Sequence, residues 1–211
     1  MVDGEKASLG DRIDPTTSTV SIDGVRLPLD PEQRTWLVYK PPGVVSTMED
    51  THGRPVVTSL VPSEPITKPV GRLDLHSEGL MLLTNDGDLA LRVTHPRYGI
   101  EKAYHVMTTS VASQKHCAQF VAGVNLEDGP AKAKSARIVN SHGDRSVVEL
   151  VMTEGRKREV RRIFEAVGLQ VDRLVRVSIA GITDRTLSAG SYRALTLDEI
   201  RSIYKKANEE E

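Results

Sequence analysis

The chain has 211 residues, 38% hydrophobic and 27% charged, with a formal net charge of −1, so it can bury a full core in one domain or two small ones. No apolar run approaches the roughly 18 residues of a membrane span, and the start lacks the basic-then-apolar pattern of a signal peptide, so the cytoplasm is the expected compartment. Cys117 is the sole cysteine, which excludes an internal disulfide and a cysteine-based metal site.

Residues 20–27 alternate like a strand, with Asp23-Gly24 as a hairpin turn, and residues 2–5 carry a smaller version of the same signal. This segment has too little apolar content to fold alone and is expected to be mobile or laid on the main body. Residues 31–33 read as a linker. Residues 35–40 read as a strand, stopped by Pro41-Pro42-Gly43. Lys40 closes that strand, as a solvated end or as a functional cation. Residues 49–68 are loop-like.

Residues 69–87 organise the chain. Arg72, Asp74, His76, Ser77 and Glu78 crowd polar groups between Gly71 and Gly79. Leu80 to Thr84 then form an apolar run of strand length before the turn Asn85-Asp86-Gly87. The run should be a central strand buried on both faces, delivering a charged loop. Asp74, two residues from Arg72, can stay ionised where water is partly excluded; the plainer alternative is a turn cap or a structural pair.

Residues 88–93 form a short helical pattern ended by His95-Pro96. Residues 101–106 alternate as a strand that puts Lys102 and Tyr104 on one face. Residues 110–124 are a helix candidate capped by Ser110 or Ser113, with Cys117 as a small core residue. Residues 131–139 and 146–152 make a hairpin. From Lys157, the apolar positions Val160, Ile163, Phe164 and Val167 trace an amphipathic helix with Arg158, Arg161 and Arg162 in its first turns. Basic residues there oppose the helix dipole, which favours a nearby anion, either a carboxylate or a phosphate. Gly168 ends the helix. Residues 172–182 follow as a strand, 187–193 as a polar loop, and 197–205 as a closing helix with Leu197, Ile200 and Ile203 inward.

Gly71-Arg72-Leu73-Asp74, with Gly79-Leu80-Met81-Leu82-Leu83-Thr84-Asn85-Asp86-Gly87, resembles the catalytic motif of bacterial pseudouridine synthases of the RsuA/RluB type. With the later matches, the resemblance runs from about Trp36 onward. It implies an α+β fold: a mixed, mostly antiparallel sheet with flanking helices and a central cleft. It also implies a remnant of an N-terminal RNA-binding module at residues 1–30, a catalytic domain in two halves at 31–205, and an acidic tail at 206–211. The implied reaction isomerises a uridine in ribosomal RNA, with the large subunit favoured, and needs no metal, redox partner or other cofactor. The implied partner is ribosomal RNA or a ribosomal precursor, acted on by a monomer away from any membrane.

The resemblance makes Asp74 the essential carboxylate and Arg161, in Gly-Arg-Lys-Arg-Glu-Val-Arg, its basic partner. Tyr104 would stack on the flipped base and Leu174 pack beneath it. Arg72 would probe the vacated stack. Lys102, Arg156, Lys157 and Arg158 would hold phosphates. Tyr39-Lys40-Pro41 resembles the family's first motif, with Tyr39 where asparagine is usual. His76 departs from the pattern and reads as an exposed loop histidine. The rivals are a non-catalytic RNA-binding or ribosome-assembly protein, which would survive loss of Asp74, and another carboxylate enzyme such as a nucleosidase.

Overall fold

The computed structural model describes residues 1–14, 17–27 and 33–209. The linker expected at 31–33 falls largely outside these, as do the last two residues of the expected acidic tail.

In chain order, the strands β1 (Val20–Ile22) and β2 (Val25–Leu27) form the expected hairpin. β3 (Thr35–Lys40), β4 (Lys68–Val70) and β5 (Glu78–Thr84) follow, then helix α1 (Gly87–Thr94) and β6 (Lys102–Thr108). Next come α2 (Gln114–Ala122), the small pair β7 (Val124–Leu126) and β8 (Gly129–Ala131), and the hairpin β9 (Ser135–His142) with β10 (Arg145–Met152). The chain continues through α3 (Glu159–Ala166), β11 (Val171–Ile179), β12 (Tyr192–Ala194) and α4 (Leu197–Glu209).

Eight strands make the main sheet, ordered β12-β3-β5-β11-β6-β10-β9, with β4 also on β5. Only β5 and β11 run parallel among its described pairs. The fold is therefore α+β with a mixed, mostly antiparallel sheet. β3 covers one edge of β5 from Gly79 to Thr84. The other edge is divided: β11 pairs with Glu78 and Gly79 only, while β4 takes Leu82 to Thr84. The sheet forks there, and the connection from β4 to β5, residues 71–77, sits in the fork.

Burial follows the pattern of the sequence. Every residue of β5 is buried. Leu80 and Leu82 join a core with α1 and α4, while Met81 and Leu83 pack with Val38, Val44 and Val57 on the other side. A second core lies across β6, β10 and β11, under α2 and α3, where Phe120 and Phe164 stack with centroids 4.5 Å apart. Cys117 belongs to that core. Asp86 caps α1 by accepting from Asp88 N (3.0 Å) and Leu89 N (3.1 Å), and Tyr204 on α4 donates to its other oxygen (2.9 Å).

Four local expectations are corrected. Leu197 is 55% exposed, because it opens α4; the inward stripe is Ile200, Ile203, Tyr204 and Ala207. Residues 156–158 are not helical: α3 starts at Glu159, and Arg158 precedes it with left-handed φ 51°. The strand expected from 131 starts at Ser135, and residues 129–131 pair instead with 124–126. The segment read as a polar loop also contains β12, which edges the sheet against β3.

Candidate active site

A cleft of about 360 Å³ opens at the fork. One wall is the 70–77 segment, with Arg72, Leu73, Asp74 and Ser77; the other is residues 154–160. Lys102 and Tyr104 on β6, and Leu174 and Arg176 on β11, lie between them. The lining carries six basic residues and three acidic ones, so the cleft is net positive although the chain as a whole is not.

The loop bearing Asp74 is held almost entirely through its backbone. Ser46 Oγ donates to Leu73 O (2.8 Å) and accepts from Leu73 N (3.1 Å). Gly43 N donates to Leu75 O (2.8 Å), and Ser77 N closes a turn on Asp74 O (3.0 Å). Beneath it lies Lys40, which is completely buried. Its Nζ donates to Ser77 O (2.7 Å) and to Pro41 O (2.9 Å). The reading of Lys40 as a solvated strand end is thus overturned. Burial pulls its pKa down to about 8, against the pull of Asp74 and then Glu78, which favour its charge. Residues 40–46 and 71–77 are therefore one unit, in which the first segment aims the second.

Asp74 is half-buried, and its side chain has no hydrogen bond or ion pair among the described residues. Arg161, on α3, is 8% exposed and feels the Asp74 charge, but the expected Arg161–Asp74 ion pair is not formed. Its Nη1 donates instead to Val171 O (3.2 Å), and Nε is buried without a partner. Burial and Arg158 both weigh against its charge, while Asp74 and Glu165 support it. Tyr104, Leu73, Leu174 and Val160 give the cleft its apolar surface, all 7% exposed or less.

The basic residues divide into two kinds. Arg72, Lys157 and Arg158 are exposed at the rim. Arg158 holds a left-handed backbone, which is uncommon for such a residue. Arg156 is already committed: it donates to Glu159 (2.8 Å), to Asp128 (3.1 Å) and to Pro130 O (2.8 Å), tying 154–159 to the β7–β8 turn. Lys102 is 8% exposed and donates to Ile100 O (2.9 Å), well inside the cleft. Desolvation, then the charge of Arg176, pushes its pKa down from 10.5 to about 8, with Glu159 opposing. Between those values the folded state has released a proton that the unfolded chain keeps, so stability rises with pH. The parent protein should therefore gain stability relative to Lys102→Met from about pH 8 to about pH 10.5, read by urea denaturation at several pH values. A gap that stays flat across that window would contradict this burial.

Sequence reasoning missed Ser46 and Arg176 and gave Glu78 no task. Arg176 carried the weak signal of an arginine set between Val175 and Val177. Glu78 accepts from Arg173 Nε (2.6 Å), Arg173 Nη2 (3.0 Å) and Tyr39 OH (3.0 Å). Tyr39 thus joins β3, β5 and β11 across the fork. Arg173, with Tyr39 in support, holds the Glu78 pKa below its ordinary 4.5. Glu78→Ala should cost about 1 kcal/mol at neutral pH, since it leaves the half-buried Tyr39 phenol and the half-exposed Arg173 guanidinium without their shared acceptor. A depressed carboxylate pKa gives stability that is present above the ordinary value and lost in acid. The gap should therefore close as pH falls below 4.5, and chemical denaturation across that range measures it.

A net-positive cleft with a carboxylate on a clamped loop, an aromatic wall and a basic rim suits an enzyme that works on a polyanion. The comparisons give the class. The profile of the RNA pseudouridylate synthase family matches residues 34–166, and the chain belongs to that family. It is 39% identical over 210 residues to an uncharacterized RNA pseudouridine synthase of Mycobacterium leprae, covering 97% of this chain and 82% of the relative. It is 39% identical over 204 residues to ribosomal large subunit pseudouridine synthase B of Salmonella typhimurium, covering 93% and 70%. A crystal structure of a pseudouridylate synthase superposes with TM-score 0.72 at 29% identity, over 96% of this chain and 87% of that one. His76 is exposed, and His95 caps the turn after α1, its Nδ1 accepting from Arg97 N (3.2 Å).

Proposed function

We propose that this pseudouridine synthase acts in the cytoplasm, as a monomer, on a uridine of ribosomal RNA, with large-subunit RNA as its substrate. The observation that carries the reading is the convergence of Asp74, Tyr104 and Leu174 in one net-positive cleft. The naming of the Salmonella relative supports the choice of RNA.

The uridine leaves its stack, because a protein cannot reach the glycosidic bond inside a helix. Arg72, exposed on the rim, enters the vacated space. The base slides between Tyr104 and Leu174. Asp74 meets the nucleotide as a carboxylate, with the buried cations Lys40 and Arg161 near enough to feel its charge. The bond from N1 to the sugar C1′ breaks and a bond from C5 to C1′ forms. C5 loses a proton and N1 gains one, so no electrons enter or leave and atoms balance without a cofactor. Lys157 and Arg158 take flanking phosphates, which position the RNA and make binding salt-dependent.

Pseudouridine mapping of ribosomal RNA before and after incubation with the protein tests this. A new modified position in large-subunit RNA is expected. RNA that is bound but unmodified, naked or in precursor particles, would exclude the reading.

A further inference from the structure

Two cations inside the cleft have no anion of their own among the described residues. Arg176 is 2% exposed, and only its Nε is hydrogen-bonded, to Leu80 O (2.6 Å); Nη2 is enclosed without a partner. Lys102 is 8% exposed, and its one hydrogen bond goes to a neutral carbonyl. They stand on neighbouring antiparallel strands, close enough for the charge of Arg176 to oppose that of Lys102. The carboxylate whose charge favours that of Lys102 is Glu159, but its oxygens already accept from Arg156 Nε (2.8 Å) and Arg156 N (2.9 Å). Asp74, which forms no ion pair among the described residues, acts at a distance on Lys40 and Arg161 instead. Burying a charge without a partner is costly, and a pair of like charges compounds the cost.

We propose that Lys102 and Arg176 form an internal subsite for a phosphate of the flipped nucleotide itself, distinct from the rim that holds the flanking strand. This rests on the reading of the cleft as a uridine site. The phosphodiester is the anionic part of RNA, and a uridine drawn into the cleft brings its own 5′ and 3′ phosphates with it. A rim cation can be served by any passing phosphate; these two can be served only by one that enters. The subsite also gives the enzyme a reason to prefer a polymer-borne uridine over free uridine, since the buried cations are neutralised only when the phosphate arrives.

The test is an NMR titration of the protein with four probes: uridine, uridine 5′-monophosphate, uridine 3′-monophosphate and inorganic phosphate. One monophosphate should bind about tenfold tighter than uridine, the gain of one charge-assisted hydrogen bond, and its identity assigns the phosphate. That preference should vanish in Arg176→Met and in Lys102→Met, while affinity for uridine stays unchanged. Because Arg176 also ties Leu80, the lysine variant on the other strand provides an independent measurement. The subsite is overturned if neither monophosphate is preferred, if the preference survives either substitution, or if uridine affinity falls with it, which would mark a base contact. Inorganic phosphate binding as well as the nucleotide would make it a free-phosphate site and overturn it equally. Modification of ribosomal RNA without a monophosphate preference would remove only the subsite. A preference without any modification would remove only the functional reading.

Discussion

Asp74→Asn should abolish pseudouridine formation, lowering the single-turnover rate by at least about a thousandfold, or about 4 kcal/mol of transition-state stabilisation. The amide keeps the size and removes the charge. Nothing else in the cleft can substitute: Glu154 and Glu159, the other two acidic residues of the lining, lie on the opposite wall, where Arg156 binds Glu159. The same substitution should barely touch stability, by at most about 1 kcal/mol, because the Asp74 side chain makes no hydrogen bond or ion pair among the described residues. It should also lower the Lys40 pKa further below about 8, since Asp74 is the largest influence supporting the charge of that lysine. Activity within tenfold of the parent would remove Asp74 from the chemistry. A large loss of stability would mean that its role is structural.

The sequence made some parts of this legible because they depend on neighbours along the chain. The apolar run of β5, the turn at Asn85-Asp86-Gly87 before α1, the hairpin of β9 with β10 and the shared face of Lys102 and Tyr104 are set by spacing within a few residues. The parts that escaped depend on which strand lies beside which. Lys40 ends a strand and precedes two prolines, and only the folding of residues 71–77 over it buries it. Arg176 alternates with Leu174 on β11, but nothing local says that this face meets the cleft or that β11 joins β5. Arg156 looked like a free phosphate ligand because Asp128 and Pro130 reach it from the distant β7–β8 turn, and Glu159, three residues on, turns back to it only where α3 starts. A run of basic residues reports charge, and only the tertiary structure separates those already paired from those exposed on the rim.

The same fork that escaped the sequence explains how one loop can be both polar and fixed. A polar loop at a sheet edge would usually be free to move. Here it leaves β4 and re-enters β5 on the edge that β11 also uses, so its ends are set by two strand pairings. Its middle is then fastened by Ser46, Gly43 and Lys40 from the β3 side. Few side chains of the loop are needed to hold it, which leaves Arg72 and Asp74 available for substrate.

Gly79→Ala should be the most damaging small substitution in the protein, because the fork closes on that residue. Gly79 has φ +111°, a conformation L side chains rarely adopt. A Cβ built on it would stand 2.3 Å from Arg176 O and 2.6 Å from Arg176 N, backbone atoms that cannot turn away as a side chain could. β11 meets β5 only at Val175↔Glu78 and Arg176↔Gly79, so moving this backbone separates the two halves of the sheet. The contact from Arg176 to Leu80 O and the Glu78 network would go with it. The cost should be at least about 4 kcal/mol, a large share of the 5–15 kcal/mol typical of a domain. Any protein that still folds should have lost the cleft and its activity. Gly87→Ala is the control: it sits in the first turn of α1 with nothing within 4 Å of the added carbon, and should be neutral or stabilising by up to about 1 kcal/mol. Urea denaturation of both proteins decides the matter. A Gly79→Ala protein within about 1 kcal/mol of the parent would mean that the two halves are held together elsewhere, and that β5 can leave β11 without opening the site.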